Sequence, residues 1–306
     1  MRVAGAGALG VIGDRRAITD LALLLRDERY FVRQAGARAL GQIGEPAVDR
    51  LLEMASSSTP SVRESAIEAL GSTSSSRAIG RIVEALKDSN TNVRSAAIRA
   101  LAETRSERGA NELAAILRDE SNLLRAQAGA ALARLGPAAV SVLVPMLNDT
   151  RPSTRQLAAE ALGDIGSAEA VAPLLELIRR DQSGARLEAI EAVGKIGDRS
   201  AIDTLLPLVK ATSVAARKKT VAALSHFHDP RVVDALIGSL ADQDEEVRLL
   251  ASAGLGEVGE PRAIPALEKL ADDDRNADIR AAAAQSASRL RSQPQRTQPS
   301  QKVARP

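Results

Sequence analysis

The stretch FVRQAGARALGQIG, residues 31–44, decides the fold. Counted from Arg33, small or apolar residues stand three, six, seven and ten positions on, at Gly36, Ala39, Leu40 and Ile43. That spacing marks one face of a helix. Gly44 then fits the left-handed residue that follows a helix end. The same frame returns at Arg2, Arg63, Arg94, Arg125, Arg155, Arg186, Arg217, Arg248 and Arg280, at intervals of 30 to 32 residues. The sixth position after each arginine is always small, from Ala8 through Ala223 to Gly254 and Ser286. The seventh is Leu in eight copies, with Val193 and Ala287 as exceptions, and the eighth is Gly in six.

Small residues on a buried stripe let a neighbouring helix approach closely. Between these helices, here called B, a second amphipathic segment recurs, as in RRAITDLALLLRDE and AVAPLLELIRRD. It often opens near a proline (Pro46, Pro173, Pro230), which a first helical turn tolerates. Each unit is therefore helix A, a turn and helix B. One such unit cannot bury its stripe alone, whereas stacked units can. The fold class expected is all-α: an α-solenoid of about nine helix pairs of ~31 residues. The domain reading is an isolated helix B over 1–13, nine repeats over 14–290, and a disordered basic Gln/Pro/Ser-rich tail over 291–306.

Composition agrees. The chain has 306 residues, 44% of them apolar, yet its aromatics are only Tyr30, Phe31 and Phe227. A core of Ala, Leu, Val and Ile suits thin helix layers. There is no Cys, so disulfide and thiolate chemistry are excluded. Net charge is +2, but RSQPQRTQPSQKVARP at 291–306 carries four basic side chains and no acidic one. Residues 1–290 thus hold 37 basic against 39 acidic groups, a net −2, and specific nucleic-acid binding is not expected of them. No apolar run is expected to reach membrane-spanning length and no signal-peptide pattern opens the chain, so a cytoplasmic protein without membrane insertion is expected.

The motif VRQAGARALGQIGEPAVDRLLEM and its later copy VRLLASAGLGEVGEPRAIPALEKLAD resemble the HEAT-repeat family. The likeness is to its short-repeat subclass, similar to the phycobilisome-lyase HEAT-like repeats, and it covers nearly the whole chain. It implies an armadillo-like helical scaffold for protein binding, with helix B lining the concave surface. It is specific for fold and weak for function.

Six residues before the arginine an Asp usually stands: Asp27/Arg33, Asp88/Arg94, Asp119/Arg125, Asp149/Arg155, Asp242/Arg248 and Asp274/Arg280. Both members fall at the A–B turn, where free backbone groups need partners. The resemblance implies that they form a structural ladder between successive repeats. A row of arginines gripping phosphates would leave an acidic residue on every rung to repel the polyanion. Ser57, Arg180 and Ala211 replace the Asp in three copies.

Two families with related repeats are enzymes, and each leaves a mark. Deoxyhypusine hydroxylase holds two irons with His-Glu pairs; here His226 and His228 are the only histidines and neither precedes a Glu. HEAT-like alkylpurine glycosylases need aromatic stacking surfaces, which three aromatics do not supply. Phe227 stands at the tenth position and reads as a core substitute for Ile. Asp272, Asp274, Asn276 and Asp278 alternate like a calcium loop but lack its mid-loop Gly and terminal Glu, and read as a capping turn. No catalytic residue, metal or cofactor is expected, and the chain reads as a non-enzyme.

A partner protein of unknown identity is expected on the stripe opposite the core, with candidate residues Gln156, Glu160, Asp164, Glu188, Glu191, Lys195, Lys218 and His226. An ordinary solvated surface also shows such mixed charge. The alternative is an accessory or lyase-type subunit acting on a tetrapyrrole-bearing protein. Repeat seven, ATSVAARKKTVAALSHFHDP, departs most from the pattern. Finally, Val3, Leu9 and Ile12 keep the apolar frame with no helix A before them, so the N-terminal repeat face is expected to pair with missing sequence or a second copy.

Overall fold

In a computed structural model, which describes residues 1–119 and 123–292, the repeat frame becomes a succession of antiparallel helices and among the described residues no strand. α1 (Arg2–Ile12) is a helix B. Nine A–B pairs follow it, with even-numbered helices A and odd-numbered helices B. In the first compact unit, Met1–Ala170, the pairs are α2–α3 (Ile18–Leu24, Tyr30–Ile43), α4–α5 (Val48–Met54, Pro60–Ser72), α6–α7 (Ser76–Ala85, Thr91–Glu103), α8–α9 (Glu107–Arg118, Arg125–Leu135) and α10–α11 (Val140–Met146, Pro152–Ile165). The second unit, from Val171, holds α12–α13 (Val171–Arg180, Gly184–Ile196), α14–α15 (Ile202–Leu205, Val214–Leu224), α16–α17 (Pro230–Ser239, Glu245–Val258) and α18–α19 (Ile264–Asp273, Ala277–Ser292). The chain is an all-α solenoid.

Each helix B packs on the next helix B of its unit through small residues. At Gly71 an added Cβ would stand 2.7 Å from both Cα and Cβ of Ala100, and at Gly194 2.7 Å from the Cβ of Ala223. The eighth position of one repeat therefore meets the sixth of the next, which is why both are small. The leucines at the seventh position, from Leu40 to Leu162 and again Leu224 and Leu255, are fully buried. Phe227 is buried in the core, as its register predicts. At the N-terminal face Val3, Val11 and Ile12 are exposed.

Most helices A begin through one 3₁₀ turn, such as Glu45–Ala47 with Pro46 inside it. Pro230 opens α16 and Pro173 lies in the first turn of α12. The glycine eleven residues after the arginine is left-handed, with φ between 71° and 77° at Gly13, Gly44, Gly136, Gly166, Gly197 and Gly259. The frame holds this conformation even without glycine: Ser74 (φ 57°) and Arg105 (φ 48°) occupy the same place. His228 breaks the rule; there the carbonyl oxygen accepts a bond of 2.9 Å from Arg199.

Three sequence expectations are revised. Arg125–Met146 is long and apolar enough to cross a membrane by length and composition. The expectation of no such run fails because a single charge, Arg134, lies inside the stretch. In the structure Gly136 and Pro137 divide it into α9, a 3₁₀ turn and α10, and one side of it, including Ala128, Leu132, Leu135, Val140 and Leu143, joins the core. α19 runs to Ser292, past the expected boundary at 290, and the rest of the tail expected to be disordered lies outside the described residues. Helix A of repeat seven is reduced to α14, a single turn, continued by a 3₁₀ segment from Leu206 to Lys210. Pro207 lacks the N–H that an α-helix requires there.

Ser74→Gly and Arg105→Gly remove a left-handed penalty and are expected to stabilise the chain by about 0.5–1 kcal/mol each in urea unfolding. Thr220 is fully buried with its hydroxyl unpaired, at a position where most repeats have Ala. Thr220→Val keeps the volume and is expected to raise stability by about 1 kcal/mol; a loss would show that the hydroxyl has a partner.

Candidate functional site

The repeated arginine is fixed at two edges. Arg63 Nη1 donates to the backbone carbonyls of Ser57 (2.9 Å) and Ser58 (3.1 Å), closing its own A–B turn. Its Nε and Nη2 donate to both oxygens of Asp88 in the following repeat, each at 2.8 Å. Arg217 treats Ala211, Thr212 and Asp242 the same way. Arg248 does so with Asp242, Gln243 and Asp274. The Arg63–Asp88 pair is largely shielded, with side-chain exposures of 14% and 10%. Arg2 reaches Asp27 at 2.7 Å, but its own side chain is exposed.

The pairs seen in the sequence are thus joined through the main chain. Arg33 takes the carbonyl of Asp27 at 3.0 Å, Arg94 that of Asp88 at 2.8 Å, Arg155 that of Asp149 at 2.8 Å and Arg280 that of Asp274 at 2.8 Å. The carboxylate turns the other way. It accepts the N–H two residues on, as Asp88 does from Asn90 (2.9 Å), and the arginine of the repeat before. Arg125 departs from the scheme: its Nε donates to the Leu117 carbonyl (2.8 Å) and its Nη2 to Ser153 and Thr154. Asp149 is held instead by Arg151 (2.8 Å). Two rungs are open. The Nε atoms of Arg33 and Arg186 are buried and unpaired, and the residues at the next repeat's Asp position are Ser57 and Ala211.

The rungs set carboxyl ionisation. The guanidinium of Arg63 beside Asp88, of Arg217 beside Asp242 and of Arg248 beside Asp274 holds each carboxyl below its ordinary value. Arg151 lowers Asp149 to about 2. These are depressed folded-state values, so their stabilisation is complete above the ordinary Asp pKa of 3.8 and is lost as pH falls through the depressed values. Glu64 is the opposite case: burial, helped by the charge of Glu68, pushes its carboxyl up.

The candidate partner residues divide between the units. On α11, Gln156, Glu160 and Asp164 are exposed and lie one turn apart. Glu160 and Asp164 flank a cavity of about 80 Å³ walled by Ala126, Gly129 and Ala130 of α9 and by Leu157 and Ala161. Among the described residues the side chains of Gln156 and Glu160 make no hydrogen bond or ion pair. In the second unit, Glu188 is half-buried on α13 and Glu191 is tied to Lys195 (3.1 Å) and to Lys219. Lys218 bonds Glu246 (2.5 Å) and Asp244 (3.4 Å) of the next repeat. His226 lies exposed beyond the end of α15, so it does not continue the helix-face stripe expected for it.

The same lacing occurs in the first unit. Glu68 accepts bonds from Gln34 (2.5 Å) and Arg99, and Glu103 pairs with Arg134. Much of the mixed charge along helices B is therefore neutralised by the neighbouring repeat. A second lattice was missed in the sequence. Arg77 pairs with Asp49, Arg231 with Asp203 (2.6 Å) and Arg262 with Asp234 (2.7 Å), each 28 residues apart on the helix-A side. That constant offset was the available signal. Asp274 is part of a ladder rung and its carboxylate accepts the N–H of Asn276 (2.9 Å), while Asn276 accepts that of Asp278 (2.9 Å), so DDDRNAD forms a capping turn.

Fold and ladder define a helical repeat solenoid. A family model for HEAT repeats matches residues 1–71, 48–133, 110–192, 140–225, 173–252 and 205–288, and the chain belongs to the HEAT-repeat family. No curated protein matches it. Among solved structures, importin β is 14% identical with a TM-score of 0.58, covering 94% of this chain and 48% of its own. Kap121p is 15% identical with a TM-score of 0.54, covering 89% and 37%. These likenesses show the fold. The complex of CpcE and CpcF of phycocyanin lyase from Nostoc sp. PCC7120 is 22% identical with a TM-score of 0.43, covering 69% and 94%.

Asp88→Ala leaves Arg63 half-buried without its carboxylate, and a loss of about 1–3 kcal/mol is expected by urea unfolding. Ala211→Asp, which supplies Arg186 with a carboxylate, should raise stability at pH 7 and lose that gain below pH ~3. Glu64→Gln should stabilise at pH 7, where the wild-type side chain must ionise, and have no effect at pH ~3.5. Stabilisation of equal size at both pH values would rule out ionisation as its cause.

Proposed function

We propose that this chain is a non-enzymatic scaffold that binds another protein along its helix-B face. The observation that carries this reading is the notch between α9 and α11. There Glu160 and Asp164 stand at the rim of an Ala/Gly-lined cavity, and Glu160 has no side-chain hydrogen bond or ion pair among the described residues, whereas Glu68 and Glu103 are engaged by neighbouring repeats. An aliphatic stem ending in a cationic head suits such a notch, so the partner presents a Lys or Arg side chain there. On this reading the chain works in the cytoplasm with no cofactor, nucleic acid or membrane insertion.

Affinity capture from the source cells tests it. Glu160→Lys with Asp164→Lys is expected to lower recovery of the captured partner about tenfold or more, with unchanged helical content. Glu169→Lys, an exposed change away from the notch, should leave recovery intact. Equal recovery by all three proteins would sink the proposal. A tight, stoichiometric visible-spectrum shift on mixing with a bilin would favour the tetrapyrrole-lyase reading instead.

A further inference from the structure

The open rung at Arg33 has a hydroxyl where the closed rungs have a carboxylate. The backbone of Ser57 sits in the ladder frame, because its carbonyl accepts Arg63 Nη1 at 2.9 Å just as the carbonyl of Asp88 accepts Arg94 at 2.8 Å. Its side chain takes the same local bond: Ser57 Oγ accepts the Thr59 N–H at 3.2 Å, as Asp88 accepts that of Asn90. What is missing is the anion. Arg33 Nη1 is held by the carbonyls of Asp27 and Glu28, while its Nε is buried and unpaired. Of the charges around it, Glu64 is near enough for Arg33 to act on its ionisation but makes no hydrogen bond to Nε.

We propose that Ser57 is a phosphorylation site whose phosphoryl group completes the Arg33 rung. A separate kinase would move the terminal phosphoryl group of a nucleoside triphosphate to Ser57 Oγ. The new P–O bond forms as the bond to the bridging oxygen of the nucleoside diphosphate breaks, and the hydroxyl proton leaves to the kinase's base. Phosphate supplies acceptor oxygens and about two negative charges, the partner a guanidinium fork selects. The turn is reachable, since Ser56, Ser58 and Thr59 are exposed and Ser57 is half-buried. The open rung at Arg186 has Ala211 in this place and no acceptor. An open rung alone therefore does not identify the site; the hydroxyl in the Asp position does.

The test uses the full chain carrying genetically encoded phosphoserine at 57. Its melting midpoint is expected to rise by about 2–4 °C over the unmodified chain, and the rise should vanish in an Arg33→Gln background. Phosphoserine at the exposed Ser58 is the positional control and should give no rise. No rise at 57, a rise that survives Arg33→Gln, or an equal rise from Ser58 would each overturn the proposal. If Arg33→Gln does not fold, phosphorus NMR decides: the Ser57 phosphate should ionise at lower pH than the Ser58 phosphate, and equal titration overturns the rung. Phosphopeptide mass spectrometry of protein from its own cells should find the group on Ser57. Its absence across growth and starvation would also overturn the assignment.

Discussion

The arginine at each A–B turn is the interaction on which the stacking register depends. A helix pair with a stripe of Ala, Leu and Gly has little shape of its own, and apolar burial is non-directional. Helices with small contact residues can slide along one another at low cost. The guanidinium removes that freedom. In a closed rung, as at Arg63, one edge closes the turn of its own repeat and the other grips the next repeat's carboxylate. Because that carboxylate also caps its own turn, register and turn geometry are set together. The small residues at the sixth and eighth positions then meet at close range, as at Gly71 and Ala100.

Much of this was legible in the sequence. The interval of the arginines, the small sixth and eighth positions and the glycine at the eleventh gave the helix pairs and their stacking faces. The partner of each arginine was harder to read. In the closed rung from Arg248 the residue six positions away in the same turn and the one 26 positions away in the next repeat are both Asp, and an offset does not say which atoms meet. Side-chain direction decides it: the nearer Asp offers its carbonyl and the farther one its carboxylate. Ser74 and Arg105 show another limit, since their left-handed backbone comes from the repeat frame and leaves no mark in residue type.

The candidate partner face was legible only as a row of charges. Whether a surface charge is available to a partner depends on what the adjacent repeat places beside it. Glu191 shares the register of Glu160 and Lys218 falls on the same stripe, yet Glu191 and Lys218 lie within ionic contacts and Glu160 borders a notch. The notch itself follows from Ala126, Gly129 and Ala130, whose missing side-chain volume had appeared only as a packing signal.

The shortened helix A of repeat seven carries a consequence for how the second unit comes apart. α14 is one turn long, its 3₁₀ continuation borders a groove of about 660 Å³ against α16, the preceding rung is open at Ala211, and Thr220 leaves a hydroxyl unpaired inside the same repeat. In a linear array each repeat is held only by its neighbours, so fluctuations concentrate at the weakest junction and do not spread evenly. Repeat seven acts as a fuse. When it opens, the segment around 202–213 is expected to be the first backbone of this unit offered to solvent exchange or to a protease.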